Sequence, residues 1–68
     1  MNNLELYKTF YYVAKAGSIT AAAQQLSLTQ PAVSQSMKQL EAQLNVSLFQ
    51  RTAKGIRLTK EGEILFPY

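Results

Sequence analysis

The side chains of this sequence that could do chemistry are mainly amides, hydroxyls and cations. Gln30, Ser34 and Gln35 stand close together in the segment QPAVSQ, which also holds Pro31 and Ala32. Glutamine amides both donate and accept hydrogen bonds, and serine hydroxyls do the same. Such groups bind polar partners by complementary hydrogen bonds. The segment therefore indicates recognition rather than reaction.

Catalytic and metal-binding side chains are scarce. The sequence has no histidine and no cysteine, and its four acidic residues are all glutamates. The usual general bases, nucleophile–base pairs and metal sites cannot be assembled from what remains. We therefore expect no enzyme, no metal and no cofactor.

The positive charge is concentrated in one stretch. The formal net charge is +3, and residues 51–60 contain four of the seven basic residues and no acid. A stretch of this kind attracts polyanions such as nucleic acid or an anionic membrane surface. An ordinary solvated surface is the simpler interpretation of an arbitrary charge run. The place of this run in the fold therefore decides between a solvated surface and a polyanion-binding segment.

Length and composition indicate one small domain. The chain has 68 residues, of which 47% are hydrophobic, which is too many for a disordered tail. A domain of this size buries about 60% of its unfolded surface, so it needs efficient packing or a partner chain. The first residues do not resemble a signal peptide, and no apolar run approaches the length of a membrane span. We expect a cytoplasmic protein.

Two helices are predicted before residue 27. Apolar residues recur at helical spacing between residues 4 and 16, at Leu6, Phe10, Val13 and Ala14. Gly17 suits the position after a helix. Ser18 and Thr20 are both good N-caps for a short second helix that ends near Leu26. The segment SLT then forms a three-residue turn.

A third helix is predicted over residues 30–44. Thr29 is its natural N-cap, and Pro31 falls in the first turn, where backbone N–H groups have no intrahelical partner to lose. One inward stripe is predicted, consisting of Val33, Met37, Leu40 and Leu44. Gln35 and Lys38 lie almost opposite this stripe. Asn45 suits the left-handed residue that ends the helix.

A basic hairpin and the start of another helix are predicted next. Strands are expected at residues 48–51 and 55–59, with Gly55 at a position of positive φ. Ile56 and Leu58 would face inward and Arg57 outward. Thr59 can cap a final helix, whose first turn holds the acidic residues Glu61 and Glu63, and Pro67 should kink any continuation.

Helix, short helix, tight turn and helix form the helix-turn-helix arrangement, and a following basic hairpin makes it winged. The predicted fold class is mostly α: a three-helix core, a two-stranded β-hairpin wing and the start of a C-terminal linker helix. In such modules the N-terminal end of the third helix reaches base edges in the major groove. Glutamine can pair with adenine, serine can bond to bases or phosphates, and alanine can meet the thymine methyl group. A basic wing would lie beside the backbone or in the minor groove.

The segments FYYVAKAGSITAAAQQL and LTQPAVSQSMKQLEAQLNVSLFQRTAKGIRLTKEG resemble the N-terminal DNA-binding domain of LysR-type bacterial transcriptional regulators. The resemblance implies a winged helix-turn-helix domain over residues 1–59, with the helix-turn-helix at about 18–38 and the wing at about 47–59. Residues 60–68 would begin a linker or dimerisation helix. It further implies sequence-specific binding to double-stranded DNA and a homodimer built largely on the linker helix. The inducer-binding domain of full-length members is absent here, so the sequence is expected to be a fragment.

The resemblance also implies roles for single residues. Those expected to approach the bases are Gln30, Pro31, Ala32, Ser34 and Gln35. Those expected at the DNA backbone or on the wing are Ser18, Thr20, Thr29, Lys38, Arg51, Thr52 and Lys54, of which Lys54 would stand at the wing tip. Ser18, Thr20 and Thr29 are expected to cap helices whether or not they touch DNA.

Two other functions stay open. The same exposed face could hold another protein, as a winged-helix protein-interaction module, and the apolar tail EILFPY would support association. Attachment to a membrane surface is disfavoured because the basic residues lie on a hairpin rather than along an amphipathic helix. Arg51 could also serve to pair with Glu41 or Glu61.

Overall fold

Four helices and two strands follow one another within residues 3–53 and 55–66, which the computed structural model describes. They are α1 (Asn3–Ala16), α2 (Ile19–Leu26), α3 (Gln30–Leu44), β1 (Phe49–Thr52), β2 (Gly55–Leu58) and α4 (Lys60–Leu65). The predicted fold class, mostly α with a winged helix-turn-helix, is confirmed. Lys54 and Pro67, predicted at the wing tip and at a kink, lie outside the described residues.

The first strand begins and ends one residue later than predicted, and the second begins where predicted but ends one residue earlier. Leu48 was expected to begin β1, but it precedes the strand, and its backbone N–H donates to the Glu41 carboxylate at 2.7 Å. Thr59 was expected to end β2, but it is the N-cap of α4, and its Oγ1 accepts from the Gly62 N–H at 3.0 Å. Leu48 and Thr59 still share one backbone hydrogen bond across the hairpin. The regular pairing nevertheless ends at Phe49 and Leu58, because the Leu48 N–H bonds to Glu41 and Thr59 begins α4.

The helix ends follow capping rules closely. Ser18 caps α2 by accepting from the Ala21 N–H at 3.1 Å, and Thr29 caps α3 by accepting from the Ala32 N–H at 3.3 Å. The prediction that Thr20 also caps α2 is wrong, because Thr20 is the second residue of that helix. Asn45 ends α3 in the left-handed conformation (φ 57°), as predicted, and Ser27 does the same for α2 (φ 57°).

The core lies where α1, α2 and α3 meet. Its buried members are Leu6, Phe10, Val13, Ala22, Ala23, Val33, Met37, Leu40 and Leu48. Leu44 was predicted to complete the inward stripe of α3, but 36% of it is exposed. It lies in the last turn of α3 and borders an open apolar groove with Val46 and Ile64. Ser36 is buried instead, and its hydroxyl donates to the Ala32 carbonyl at 3.0 Å.

The hairpin packs against the core through one face. Phe49 pairs with Leu58 and Arg51 pairs with Ile56 in the antiparallel register. The Phe49 ring lies 5.4 Å from that of Phe10. Ile56 and Leu58 are half-buried and Arg57 is exposed, which confirms the predicted alternation. Gly55 has the expected positive φ, 130°.

The last helix is held against the hairpin by a close approach at Gly62. The Thr59 N–H donates to the Leu48 carbonyl at 2.9 Å. A Cβ added at Gly62 would overlap the carbonyl oxygen of Leu48 and lie 2.9 Å from Leu58 Cδ2. Only a residue without a side chain lets α4 approach the start of the hairpin this closely.

Replacing Gly62 with alanine tests this approach. Although alanine is the better helix former, we expect Gly62→Ala to lower the free energy of unfolding by about 1–3 kcal/mol, because backbone has to move to relieve the overlap. Urea unfolding followed by circular dichroism measures it. The exposed first residue of α4 provides the control, since Lys60→Ala should change stability by less than about 0.5 kcal/mol. Equal stability of Gly62→Ala and the wild type would contradict the close approach.

Candidate nucleic-acid interface

A polar cleft opens where the beginnings of α2 and α3 meet the hairpin. Its volume is about 450 Å³. Six of the residues predicted to contact DNA line it: Ser18, Thr20, Gln30, Ser34, Arg51 and Thr52. Residues that are far apart in sequence are thus brought to one surface.

The front of α3 is exposed to solvent beside this cleft. Gln30, Pro31 and Gln35 are exposed, whereas Ala32 and Ser34 are half-buried. Gln30 and Ser34 line the cleft. At about 100° per residue, Gln35 lies on the side of α3 opposite its buried seam. Of the five residues predicted to read bases, Gln30 and Ser34 therefore lie at the cleft and Gln35 lies on the outward side of α3.

Arg51 is directed to the cleft by the hairpin register. Its cross-strand partner is Ile56, and both line the cleft. A smaller depression of about 130 Å³ adjoins it and is lined by Ser34, Lys38, Glu41 and Arg51 among others. The two cations of α3 and β1 therefore border the same surface as the polar front of α3.

The electrostatics of the cleft favour an anion. None of the described residues that line it is acidic. The N-termini of α2 and α3 both open onto it through Ile19 and Gln30, and a helix N-terminus carries a partial positive charge. A cleft with two helix N-termini and the Arg51 guanidinium is suited to a phosphate backbone.

Two of the capping hydroxyls keep a free donor. Ser18 and Thr29 accept backbone N–H bonds through their oxygens, which leaves the hydroxyl protons available to a phosphate. Thr52 differs, because its hydroxyl donates to the Gly55 carbonyl at 3.2 Å and holds the turn of the hairpin. The exposed Thr20 side chain lies in the first turn of α2. Capping and ligand contact are thus compatible at Ser18 and Thr29.

Glu41 has a structural role that no motif in the sequence indicates. It was considered as an ion-pair partner of Arg51, but its Oε2 accepts from the N–H groups of Leu48 (2.7 Å) and Phe49 (3.3 Å). The carboxylate thereby ties the start of the hairpin, at Leu48 and Phe49, to α3. No periodicity in the sequence marks this contact, because it joins a helix to backbone groups of a loop.

Two kinds of feature are not found in the part of the chain that the structure describes. It contains no group of three or more histidine, cysteine, aspartate or glutamate side chains that could hold a metal ion. It also contains no helix with the length and apolar character needed to cross a membrane.

These features define a winged helix-turn-helix domain with a polar, cationic face. Residues 4–63 match the family model for the "Bacterial regulatory helix-turn-helix protein, lysR family". The chain belongs to this family, as its motifs predicted.

Curated relatives support the assignment at the level of sequence. The chain is 52% identical over 64 residues to the HTH-type transcriptional regulator HdfR of Escherichia coli O139:H28. The HdfR of Shigella boydii serotype 18 gives the same identity over the same length. The match covers 94% of this chain and 23% of the E. coli regulator, so the chain spans about a quarter of the length of that relative.

Solved structures support the assignment at the level of the fold. The CbnR_DBD–DNA complex superposes with a TM-score of 0.91 at 38% identity, covering 97% of this chain and 76% of that one. The BenM_DBD/catB site 1 DNA complex gives a TM-score of 0.93 at 30% identity, covering 98% of this chain and 75% of that one. Both of these structures contain DNA.

Removing the Glu41 carboxylate tests its role in holding the hairpin. We expect Glu41→Ala to lower the free energy of unfolding by about 1–3 kcal/mol, because the Leu48 N–H loses its acceptor in a partly buried place. Glu41→Gln is the matched control, since its amide oxygen can still accept and should recover most of the loss. Chemical denaturation of both variants measures it. A Glu41→Ala variant as stable as the wild type would contradict the role.

Proposed function

We propose that this chain binds double-stranded DNA sequence-specifically, as the DNA-reading domain of a bacterial transcription regulator. One observation carries the proposal. The exposed amide and hydroxyl groups at the front of α3 lie beside an acid-free cleft that Arg51 borders. A DNA duplex has partners for both kinds of group, because base edges form hydrogen bonds with amides and hydroxyls and the flanking phosphates bind cations.

In the proposed complex, α3 enters the major groove with its N-terminal end foremost. The base-reading residues are Gln30, Pro31, Ala32, Ser34 and Gln35. Pro31 offers no hydrogen-bond donor, so its contribution is contact with the groove wall. Ala32 is half-buried and can meet a base only through its methyl group.

Contacts to the DNA backbone are proposed around the base-reading residues. Their proposed members are Ser18, Thr20, Thr29, Lys38, Arg51, Thr52 and Lys54. Ser18 and Thr29 would donate their free hydroxyl protons to phosphates, while Thr52 would contribute through accepting or packing because its own proton is engaged. The wing, residues 51–57, would lie along the backbone or in the minor groove, where cations are attracted to narrow A·T-rich tracts.

The relatives support this proposal and no enzymatic one. HdfR is a transcriptional regulator, and the CbnR and BenM structures are complexes with DNA. The side chains at the cleft are amides, hydroxyls and a guanidinium, and none of these is a ready general base at neutral pH. Binding, rather than catalysis, is what such a surface can do.

We also propose that the chain pairs with a second copy through the helix that begins as α4. Ile64 is 65% exposed on this helix, and it borders an apolar groove of about 350 Å³ with Leu44, Val46 and Leu65. Large apolar side chains at this exposure are stabilised by covering them with a partner. A two-fold pair would present two copies of α3 to two half-sites of a duplex.

Removing Arg51 tests the DNA proposal. We expect Arg51→Ala to weaken binding to all duplex sequences alike and to reduce the slope of log affinity against log salt by about one unit, because one phosphate contact is lost. Fluorescence anisotropy titrations at several salt concentrations measure it. Lys8→Ala removes the same charge from α1, where Lys8 lines a separate depression with Glu5 and Leu28, and it should leave the slope almost unchanged.

The same titrations distinguish the alternative of a protein-interaction module. Wild-type chain that binds no random duplex at low salt would contradict DNA binding and favour that alternative. An equal change of slope in Arg51→Ala and Lys8→Ala would show that only net charge matters, which would contradict the place proposed for Arg51.

Replacing Ile64 tests the pairing. We expect Ile64→Ser to weaken self-association by at least about tenfold, because apolar surface is lost on both sides of a two-fold contact. Its thermal midpoint at low concentration should not fall, since the side chain is exposed in one copy. Sedimentation equilibrium measures the association, with Lys60→Ser in the same helix as the control. A mass of one chain at every concentration would contradict pairing at this chain length.

A further inference from the structure

Gln35 carries a free primary amide on the outermost side of α3. Its side chain is exposed, and among residues 3–53 and 55–66 it has no hydrogen-bond partner. Helical side chains lean toward the N-terminus of their helix, so Gln35 covers the turn that contains Pro31. Proline has no N–H and no polar side-chain atom, and it therefore leaves both the carbonyl and the NH₂ group of the Gln35 amide unclaimed.

The backbone under this amide is held firmly. Val33 and Met37, on either side of Gln35 in sequence, are buried in the core. Ser36, the next residue, is also buried, and its hydroxyl donates to the Ala32 carbonyl at 3.0 Å. The Cα of Gln35 is therefore fixed by its neighbours, and only the rotamers of its own side chain remain to be ordered on binding.

We infer that Gln35 is a specificity-determining residue that selects adenine over guanine at one position of each half-site. This inference rests on the proposed function. Adenine presents an acceptor (N7) beside a donor (N6) in the major groove, and the amide of glutamine matches both at once. Guanine presents two acceptors, N7 and O6, so the carbonyl oxygen of the amide would face O6 without a proton between them.

No arginine of α3 supplies the second donor that guanine would need at this position. The helix QPAVSQSMKQLEAQL contains one cation, Lys38, and no arginine. Lys38 lines the depression with Ser34, Glu41 and Arg51, and its ammonium is a point charge without the planar fork of an arginine. Guanine at the base opposite Gln35 therefore lacks a planar bidentate donor, and adenine is favoured.

Selection from a randomised duplex pool tests the inference with the 68-residue chain. The wild type, Gln35→Ala and Gln35→Arg are compared, and Gln43→Arg is the matched control. Gln43 is exposed on the same helix, two turns farther from its N-terminus. Gln43→Arg therefore adds the same positive charge as Gln35→Arg, but away from the N-terminal end of α3. Circular dichroism of each variant establishes that the fold is unchanged.

We expect the wild type to enrich adenine at one position of each half-site, with a preference of roughly 10- to 100-fold over guanine. Gln35→Ala should lose the preference at that position alone, and Gln35→Arg should replace adenine by guanine there. Gln43→Arg should raise affinity for all sequences and leave the enriched bases as in the wild type.

Two results would overturn the inference, and only one of them would also overturn the proposed DNA binding. Enrichment of the same bases by the wild type, Gln35→Ala and Gln35→Arg would remove Gln35 from base selection while DNA binding itself stands. Absence of duplex binding by the wild type at low salt would remove the proposed function and this inference together.

Discussion

The attachment of the hairpin to the helical core depends on the backbone of one residue, Leu48. Its N–H is bound by the Glu41 carboxylate, its carbonyl accepts from the Thr59 N–H, and its side chain is 1% exposed in the core. Gly62 lies against the same carbonyl. Contacts from α3, from the end of β2 and from α4 thus converge on one peptide unit, and the direction of the wing relative to α3 follows from them.

This arrangement explains how a small domain can present an open polar face. A chain of 68 residues has a small core and buries a smaller fraction of its surface than a larger domain does. The hydrogen bonds at Leu48 and the caps at Ser18, Thr29 and Thr59 satisfy backbone groups that a loop-rich domain would otherwise expose. The front of α3 is then left free of structural duties, apart from the cap that starts it.

Local rules in the sequence predicted much of the fold. The apolar spacing of α1, the cap at Thr29, the proline in the first turn and the left-handed Asn45 are short-range features, and each was found where it was predicted. One error came from tertiary packing and one from local competition. Leu44 continues the helical stripe, yet 36% of it is exposed in the structure, and Thr20 is a good cap but Ser18, two residues earlier, is the one used.

The local features of the candidate site were predictable from the sequence, as they were for the fold, and its long-range features were not. The polar front of α3 is visible in the spacing of its residues, whereas the cleft beside it is not, because the hairpin register that brings Arg51 to Ser18 and Gln30 joins distant parts of the chain. The roles of Glu41 and Gly62 were missed for the same reason. A carboxylate that binds backbone N–H groups and a glycine that admits a carbonyl both depend on a neighbour that no local pattern specifies.

Buried and exposed positions interleave along α3. Val33, Ser36, Met37 and Leu40 face the core, while Gln35, Lys38 and Gln39 lie between them in sequence and face water. Under natural selection the two sets experience different pressures, since a change in the first alters folding and a change in the second alters only what the surface meets. The outward set can therefore drift or adapt by single substitutions while the scaffold persists, and descendants of one such chain can diverge in preference without passing through an unfolded intermediate.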